Sequence, residues 1–171
     1  MKEEKSVNYL KRDKGFTLIE VLAVIIIIAG LAAIAIPKLV SSTTNARQKA
    51  DVATAHQVKA ALDRYQVENG TYPENMKDDD GVVTAAGFIP NYISKLDTTT
   101  TQQVAEGKEG FGVETLKADD TDKTDETVLV IPETLQPTNI IMIYLASNGL
   151  AAEVRAYDAE LKEILWTSSV D

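Results

Sequence analysis

The sequence predicts an α+β protein, in which one long amino-terminal α-helix packs against a small antiparallel β-sheet that forms the head. Three observations in the chain of 171 residues lead to this prediction. Val21 to Pro37 carries no charged residue, the stretch after it repeats apolar residues at helical spacing, and the carboxyl-terminal part alternates as strands do. About 135 residues follow the apolar run, which is enough for one hydrophobic core.

Composition and charge exclude several classes of function. The chain has no cysteine and a single histidine, His56, so a thiol nucleophile, a disulfide framework and a zinc cluster are excluded. The formal net charge of −9 includes a net +2 in residues 1–15, so the remainder stands at −11. A surface this acidic repels phosphate backbones, and no nucleic acid is expected along it. Because no catalytic or phosphate-binding motif occurs either, the sequence predicts no enzyme, cofactor or metal.

The first element, residues 1–15, is polar, and three of its basic residues directly precede the apolar run. By the positive-inside tendency this end stays in the cytoplasm and the rest faces outward. One processing scheme treats the run as a secretory signal peptide, cut after Ala33-Ile34-Ala35 so that a secreted protein begins at Ile36. Glu20 disfavours this scheme, because signal peptides do not normally place a carboxylate at the edge of their apolar region.

The second scheme rests on residues 14–20, Lys-Gly-Phe-Thr-Leu-Ile-Glu, and the apolar run that ends at Pro37. A glycine, Gly15, is followed by the aromatic Phe16, by the lone acid Glu20 four residues further on, and by the apolar stretch. This pattern resembles the class III leader and transmembrane start of type IV prepilins and of the related type II secretion pseudopilins. The resemblance covers residues 11–70 in detail and is only architectural beyond them.

The resemblance implies that a prepilin peptidase removes the leader, residues 1–15, after Gly15 and that Phe16 becomes N-methylated. Residues 16–40 would remain as a transmembrane helix and later form the filament core. A carboxylate in hydrocarbon costs about 2.5 to 3.5 kcal/mol, so Glu20 needs a partner. The amino group of Phe16 is the expected one, within the same chain or, as the family implies, between neighbouring subunits during assembly.

Gly30 and Pro37 bracket two turns of the apolar segment. A proline inside a helix costs about 3 kcal/mol in water but is tolerated in a membrane helix. The resemblance implies a locally melted stretch between these two positions in assembled filaments. A simple kink at Pro37 is the alternative.

Residues 41–70 are predicted to continue the helix as an amphipathic half. Val52, Val58, Leu62 and Tyr65 fall on one face, and Asn69-Gly70 signals the helix end. The whole helix should run from Phe16 to Glu68, about 53 residues or about 80 Å.

Residues 71–126 are predicted as a variable connecting loop region with one or two short elements. Its acidic clusters, residues 78–81 and 119–126, do not match the EF-hand template and are expected to be solvated loop, although some pseudopilins hold calcium in the head. Residues 127–171 are predicted to form the antiparallel sheet, with β-branched runs at 127–131 and 140–145 and an Asn148-Gly149 hairpin turn. Three antiparallel strands in a meander should cover the amphipathic half of the helix. They should bury its apolar face, Val52, Val58, Leu62 and Tyr65, against Ile141, Ile143, Val154, Ile164 and Trp166.

The resemblance therefore implies the structural subunit of a type IV pilus, polymerising noncovalently for motility, adhesion or biofilm formation. The alternative is a minor pilin or pseudopilin of a type II secretion or DNA-uptake system, and a secreted or membrane-anchored binding module is the third possibility. The expected partners are copies of the chain, the peptidase, the assembly platform, minor pilins and, before assembly, the cytoplasmic membrane. Gram-negative major pilins usually close a carboxyl-terminal disulfide, so the missing cysteines point to a Gram-positive or otherwise cysteine-poor lineage.

Overall fold

The computed structural model of the chain describes residues 16–117 and 129–169. It separates into two compact units, residues 1–41 and 42–171. The predicted leader with Gly15, and the acidic cluster 119–126, lie outside the described residues. The elements are α1 (Leu18–Asn69), β1 (Lys77–Asp79), β2 (Val82–Thr84), β3 (Phe111–Leu116), β4 (Ile141–Ala146), β5 (Ala152–Tyr157) and β6 (Ile164–Thr167). The predicted α+β class, a long apolar amino-terminal helix with small β-sheets, is confirmed.

Helix α1 contains 52 residues and includes Pro37 without an interruption. Its carboxyl-terminal end is closed by Gly70, which has a φ of +86° and donates its N–H to the carbonyl oxygen of Gln66 at 2.8 Å. Glycine adopts this left-handed conformation without a steric penalty, so a helix commonly ends just before it. The Asn-Gly signal in the sequence thus marks the true end of the helix.

The main sheet has the strand order β3-β4-β5-β6. Strands β4, β5 and β6 form the predicted antiparallel meander, but β3 pairs in parallel with β4, starting from Phe111 opposite Ile141. The sheet predicted for residues 127–171 does not include β3, because this strand comes from the region predicted as connecting loop. A parallel pair needs a long crossover rather than a tight turn, so no local turn signal announced it. Residues 129–131 of the run 127–131 form no strand, and 127–128 lie outside the described residues.

Within the head, the core lies between the amphipathic half of α1 and one face of the main sheet. Val58 and Leu62 of the helix are fully buried with Ile141, Ile143 and Val154 of the sheet, while Val52, Tyr65 and Trp166 pack at the margin. These contacts are the ones predicted from the periodicity, with one exception. The side chain of Ile164 is 47% exposed, because β6 is the edge strand and Ile164 begins it.

A second apolar cluster covers the opposite face of the sheet. Met142, Tyr144 and Tyr157 are buried there beneath Leu129, Ile131 and other partly buried side chains. The hydroxyl groups of Tyr144 and Tyr157 are 3.1 Å apart and form a hydrogen bond. Strand β4 is consequently buried on both faces, which explains why its sequence is apolar throughout rather than alternating.

A buried carboxylate fastens the loop after residue 97 to helix α1. Asp51 is fully buried, and its two carboxylate oxygens accept the backbone N–H groups of Gln102 at 2.6 Å and of Gln103 at 3.0 Å. The side chain of Gln103 donates in turn to the carbonyl oxygen of Tyr157 at 3.0 Å. Asp97 directly precedes this loop. Hydrogen bonds to its carboxylate, of which the one from Thr99 contributes most, lower the pKa of Asp97 to about 2. The hydrogen bonds of Asp51 and Gln103 join the helix, the loop and the end of β5.

Candidate functional site

The apolar segment, defined here as residues 16–40, is the most unusual surface in the described chain. Every residue in it is exposed except Ala32, which is half-buried. Helix α1 contains an apolar stretch long enough to cross a membrane, and none of that stretch is buried. The core helix of a soluble protein would be mostly buried, so this explanation does not apply. A contiguous exposed apolar surface of this size indicates a membrane or a protein partner.

The start of the segment is organised by a residue that the sequence analysis did not single out, Thr17. The backbone N–H of Glu20 donates to the Thr17 hydroxyl at 3.3 Å and to the Thr17 carbonyl oxygen at 3.1 Å, and Val21 N–H reaches the same carbonyl at 3.2 Å. Thr17 is thus the amino-terminal cap of α1, with Glu20 three residues after it. The available signal was the Thr-x-x-Glu spacing, which is typical of a capping box.

Glu20 lies exposed in the first turn of α1, and Phe16 precedes the cap. A negative charge at this end of a helix is favoured by the helix dipole. None of the three ion pairs found among residues 16–117 and 129–169 includes Glu20. The structure therefore brings Phe16 and Glu20 to the same end of the helix, and Gly15 lies outside the described residues.

Gly30 and Pro37 both lie within the continuous helix. Proline has no N–H, so the carbonyl oxygen of Ala33 loses the donor it would otherwise receive from position 37. A methyl group added at Gly30 would meet nothing within 4 Å. The melted stretch between Gly30 and Pro37 is predicted for assembled filaments, and it stays a prediction.

The sole histidine serves packing rather than ligation. The ring of His56 lies 4.0 Å from the ring of Trp166, centroid to centroid. Among the residues that the structure describes, no three side chains of metal-binding type come together.

A comparison with models of known protein families identifies the class of the amino-terminal region. Residues 10–36 match the family model described as the prokaryotic N-terminal methylation motif. This match spans the predicted cleavage position, Phe16, Glu20 and most of the apolar run. The chain thus has the amino terminus of a prepilin-type protein.

The particular relatives are type II secretion system core proteins G. The chain is 30% identical to the one from Klebsiella pneumoniae over 82 residues, which is 48% of this chain and 59% of the relative. It is 33% identical to that of Aeromonas hydrophila over 87 residues, 51% of this chain and 61% of the relative. With that of Escherichia coli K12 it shares 32% over 79 residues, 46% of this chain and 54% of the relative. No solved structure matches the chain.

The matched region spans about half of this chain and between 54% and 61% of these three relatives. The resemblance predicted from the sequence is confirmed: residues 10–36 carry the prepilin methylation motif, and about half of the chain is similar to type II secretion system core proteins G. These relatives favour the alternative named from the sequence, a pseudopilin, over the subunit of a pilus.

Proposed function

We propose that this chain is a pseudopilin-type structural subunit that is cleaved after Gly15, held in the cytoplasmic membrane by residues 16–40, and then assembled noncovalently with its own copies into a filament of a secretion system. The observation that carries the proposal is the apolar segment, which is exposed at every residue except the half-buried Ala32 and carries the carboxylate of Glu20 in the first turn of α1. The similarity to type II secretion core proteins G supports the secretion context.

The energetics explain why such a segment would use a charged group. Lipid tails are as apolar as leucine side chains, so moving the segment from the bilayer into a bundle of copies gains little hydrophobic free energy. Packing and polar contacts must then drive assembly. Glu20 is costly in hydrocarbon, and pairing it with the free amino group of Phe16 on a neighbouring copy would offset that cost and set the register between subunits.

Processing gives the first test. We expect the mature protein to begin at Phe16 with one added methyl group, because the motif spans this position. Amino-terminal sequencing and intact-mass measurement of the membrane fraction check this. Replacement of Gly15 by leucine should leave the uncut chain in the membrane. A mature terminus at Ile36 would instead identify a secreted protein, and an uncut Met1 in the natural chain would identify a simple anchor.

The secretion context has its own test. In cells that lack this chain, we expect proteins that are normally secreted into the medium to accumulate in the cells while their synthesis is unchanged. Quantitative mass spectrometry of the medium and of the cells measures the ratio. Normal export together with the loss of surface fibres, in which this chain is the dominant protein by mass spectrometry, would contradict the secretion assignment and identify a pilus subunit.

A further inference from the structure

A second charged feature lies on α1 directly after the apolar run. Residues 42–49, called the neck below, contain two basic residues, Arg47 and Lys49, and no acidic residue. Both basic side chains are exposed. The neck is therefore a short positively charged surface on a chain whose net charge is strongly negative.

The basic residues of the neck have no acidic partner within the described part of their own chain. The ion pairs found there involve Lys59, Lys95 and Arg155, none of which belongs to the neck. Asp51 is four residues after Arg47, at the spacing of a helical ion pair. Both of its oxygens are committed to the N–H groups of residues 102 and 103, however, and its side chain is fully buried. The fold thus removes the acid that is best placed along the helix to neutralise Arg47.

The rest of the chain carries the complementary charge. Residues 50–171 contain 22 acidic and 9 basic residues. Several of the acidic side chains lie exposed on the head, namely Glu74, Asp79, Asp80 and Glu106. A positive surface and a negative surface at different places on one chain attract each other between copies, and in a head-to-tail arrangement this contact repeats from subunit to subunit.

Anionic lipid is the other candidate partner of the neck. The distance between the neck's basic residues and the end of the apolar segment disfavours it. Arg47 and Lys49 follow Val40 by seven and nine residues, or about 10 to 14 Å along a helix. The attraction of a charged membrane surface falls off within a Debye length, about 8 Å at physiological salt. The strongly anionic leaflet is also the cytoplasmic one, whereas the proposed topology puts the neck on the exported side.

We propose that the neck binds the acidic head of a second copy of this chain, so that Arg47 and Lys49 form intermolecular ion pairs with head carboxylates. This inference rests on the proposed filament-forming function. It adds a second polar contact between subunits, outside the membrane layer, to the pairing proposed for Glu20. The contact would steer an incoming copy before the apolar segments pack together.

Carbodiimide cross-linking of the full chain in native membranes tests the contact. The reagent joins a lysine amine to a carboxylate with loss of water and adds no spacer, so it records direct ion pairs. In an equal mixture of isotopically light and heavy copies, we expect junction peptides that link Lys49 of one copy to an aspartate or glutamate in residues 50–171 of another. Their yield should fall at least about threefold when salt shortens the Debye length several-fold.

Matched variants separate charge from chemistry. Lys49→Arg keeps the positive charge but cannot be cross-linked, so it should lose the junction at position 49 and keep normal filaments. The double variant Arg47→Glu/Lys49→Glu should lower the yield of sheared filaments at least about threefold, as expected for the loss of two exposed ion pairs. Lys77→Glu/Lys162→Glu, with the same charge change on exposed residues of the head, should leave both readouts unchanged.

Three results would overturn the inference: junctions only within a single isotopic copy, cross-linking that is insensitive to salt, or normal filaments from the double reversal. A double reversal that weakens binding to anionic vesicles without changing cross-links between copies would assign the neck to lipid instead. If the natural chain cross-links between copies but forms no filament, the proposed function fails and the neck contact stands. If it forms filaments without these cross-links, the neck contact fails and the proposed function stands.

Discussion

Replacing Glu20 with alanine is expected to abolish filament assembly and to leave processing after Gly15 intact. An unpaired carboxylate in hydrocarbon costs about 2.5 to 3.5 kcal/mol, and its pairing with the amino group of Phe16 in the filament would offset this cost. A free-energy difference of about 1.4 kcal/mol corresponds to a factor of ten in an equilibrium constant. We therefore expect the yield of sheared filaments to fall more than about tenfold. Electron microscopy and immunoblotting of sheared and membrane fractions measure the effect.

The structure explains why this loss would not come from a damaged helix. The hydrogen bonds that begin α1 run from the backbone N–H of Glu20 to Thr17, so the alanine variant keeps them. Glu20→Gln keeps the shape but not the charge and should also fail to assemble. Thr17→Ala removes the cap, at a cost of about 1 kcal/mol, and keeps the carboxylate, so its effect should be smaller. Normal filaments from the alanine variant would refute the assembly role of Glu20.

The second large effect is expected at Asp51, where replacement by alanine should lower the free energy of unfolding by about 3 kcal/mol. Hydrogen bonds to a charged group contribute about 1.5 to 3 kcal/mol each, and a buried donor without an acceptor is costly. Gln103 is only 4% exposed, so its N–H could not turn to bulk water. For a chain of this size the midpoint of thermal unfolding should fall by about 6 to 12 °C.

Two variants make the Asp51 experiment specific. Asp51→Asn keeps one good acceptor oxygen and should lose about half as much stability as the alanine variant. Asp79→Ala removes a carboxylate from an exposed position and should change the stability by less than about 0.5 kcal/mol. Circular dichroism of the full chain in detergent gives the midpoints. An unchanged midpoint for Asp51→Ala would show that the contact between helix and loop does not stabilise the fold.

The features that were predicted correctly are local in the chain. The helix follows from apolar spacing over neighbouring turns, and its end follows from Gly70, the residue after its last turn. The hairpin between β4 and β5 follows from Asn148-Gly149, where Gly149 has a φ of +70° and the N–H of Ala146 donates to the carbonyl oxygen of Ala151 at 2.9 Å. Phe16 and Glu20 are predicted as site residues from the same kind of local signal, a continuous motif in the sequence, and their roles stay a prediction.

The sequence by itself determined the apolar segment, the amphipathic half of the helix, the antiparallel meander and the prepilin-type start, because each depends on residues a few positions apart. Only the tertiary structure decided that β3 joins β4 in parallel and that Asp51 fastens residues 102 and 103, which are 51 and 52 positions away. An aspartate in a helical pattern carries no mark of burial, since its partners are backbone groups that every residue offers. Which distant segment meets which is set by packing of the whole core, and no local pattern encodes it.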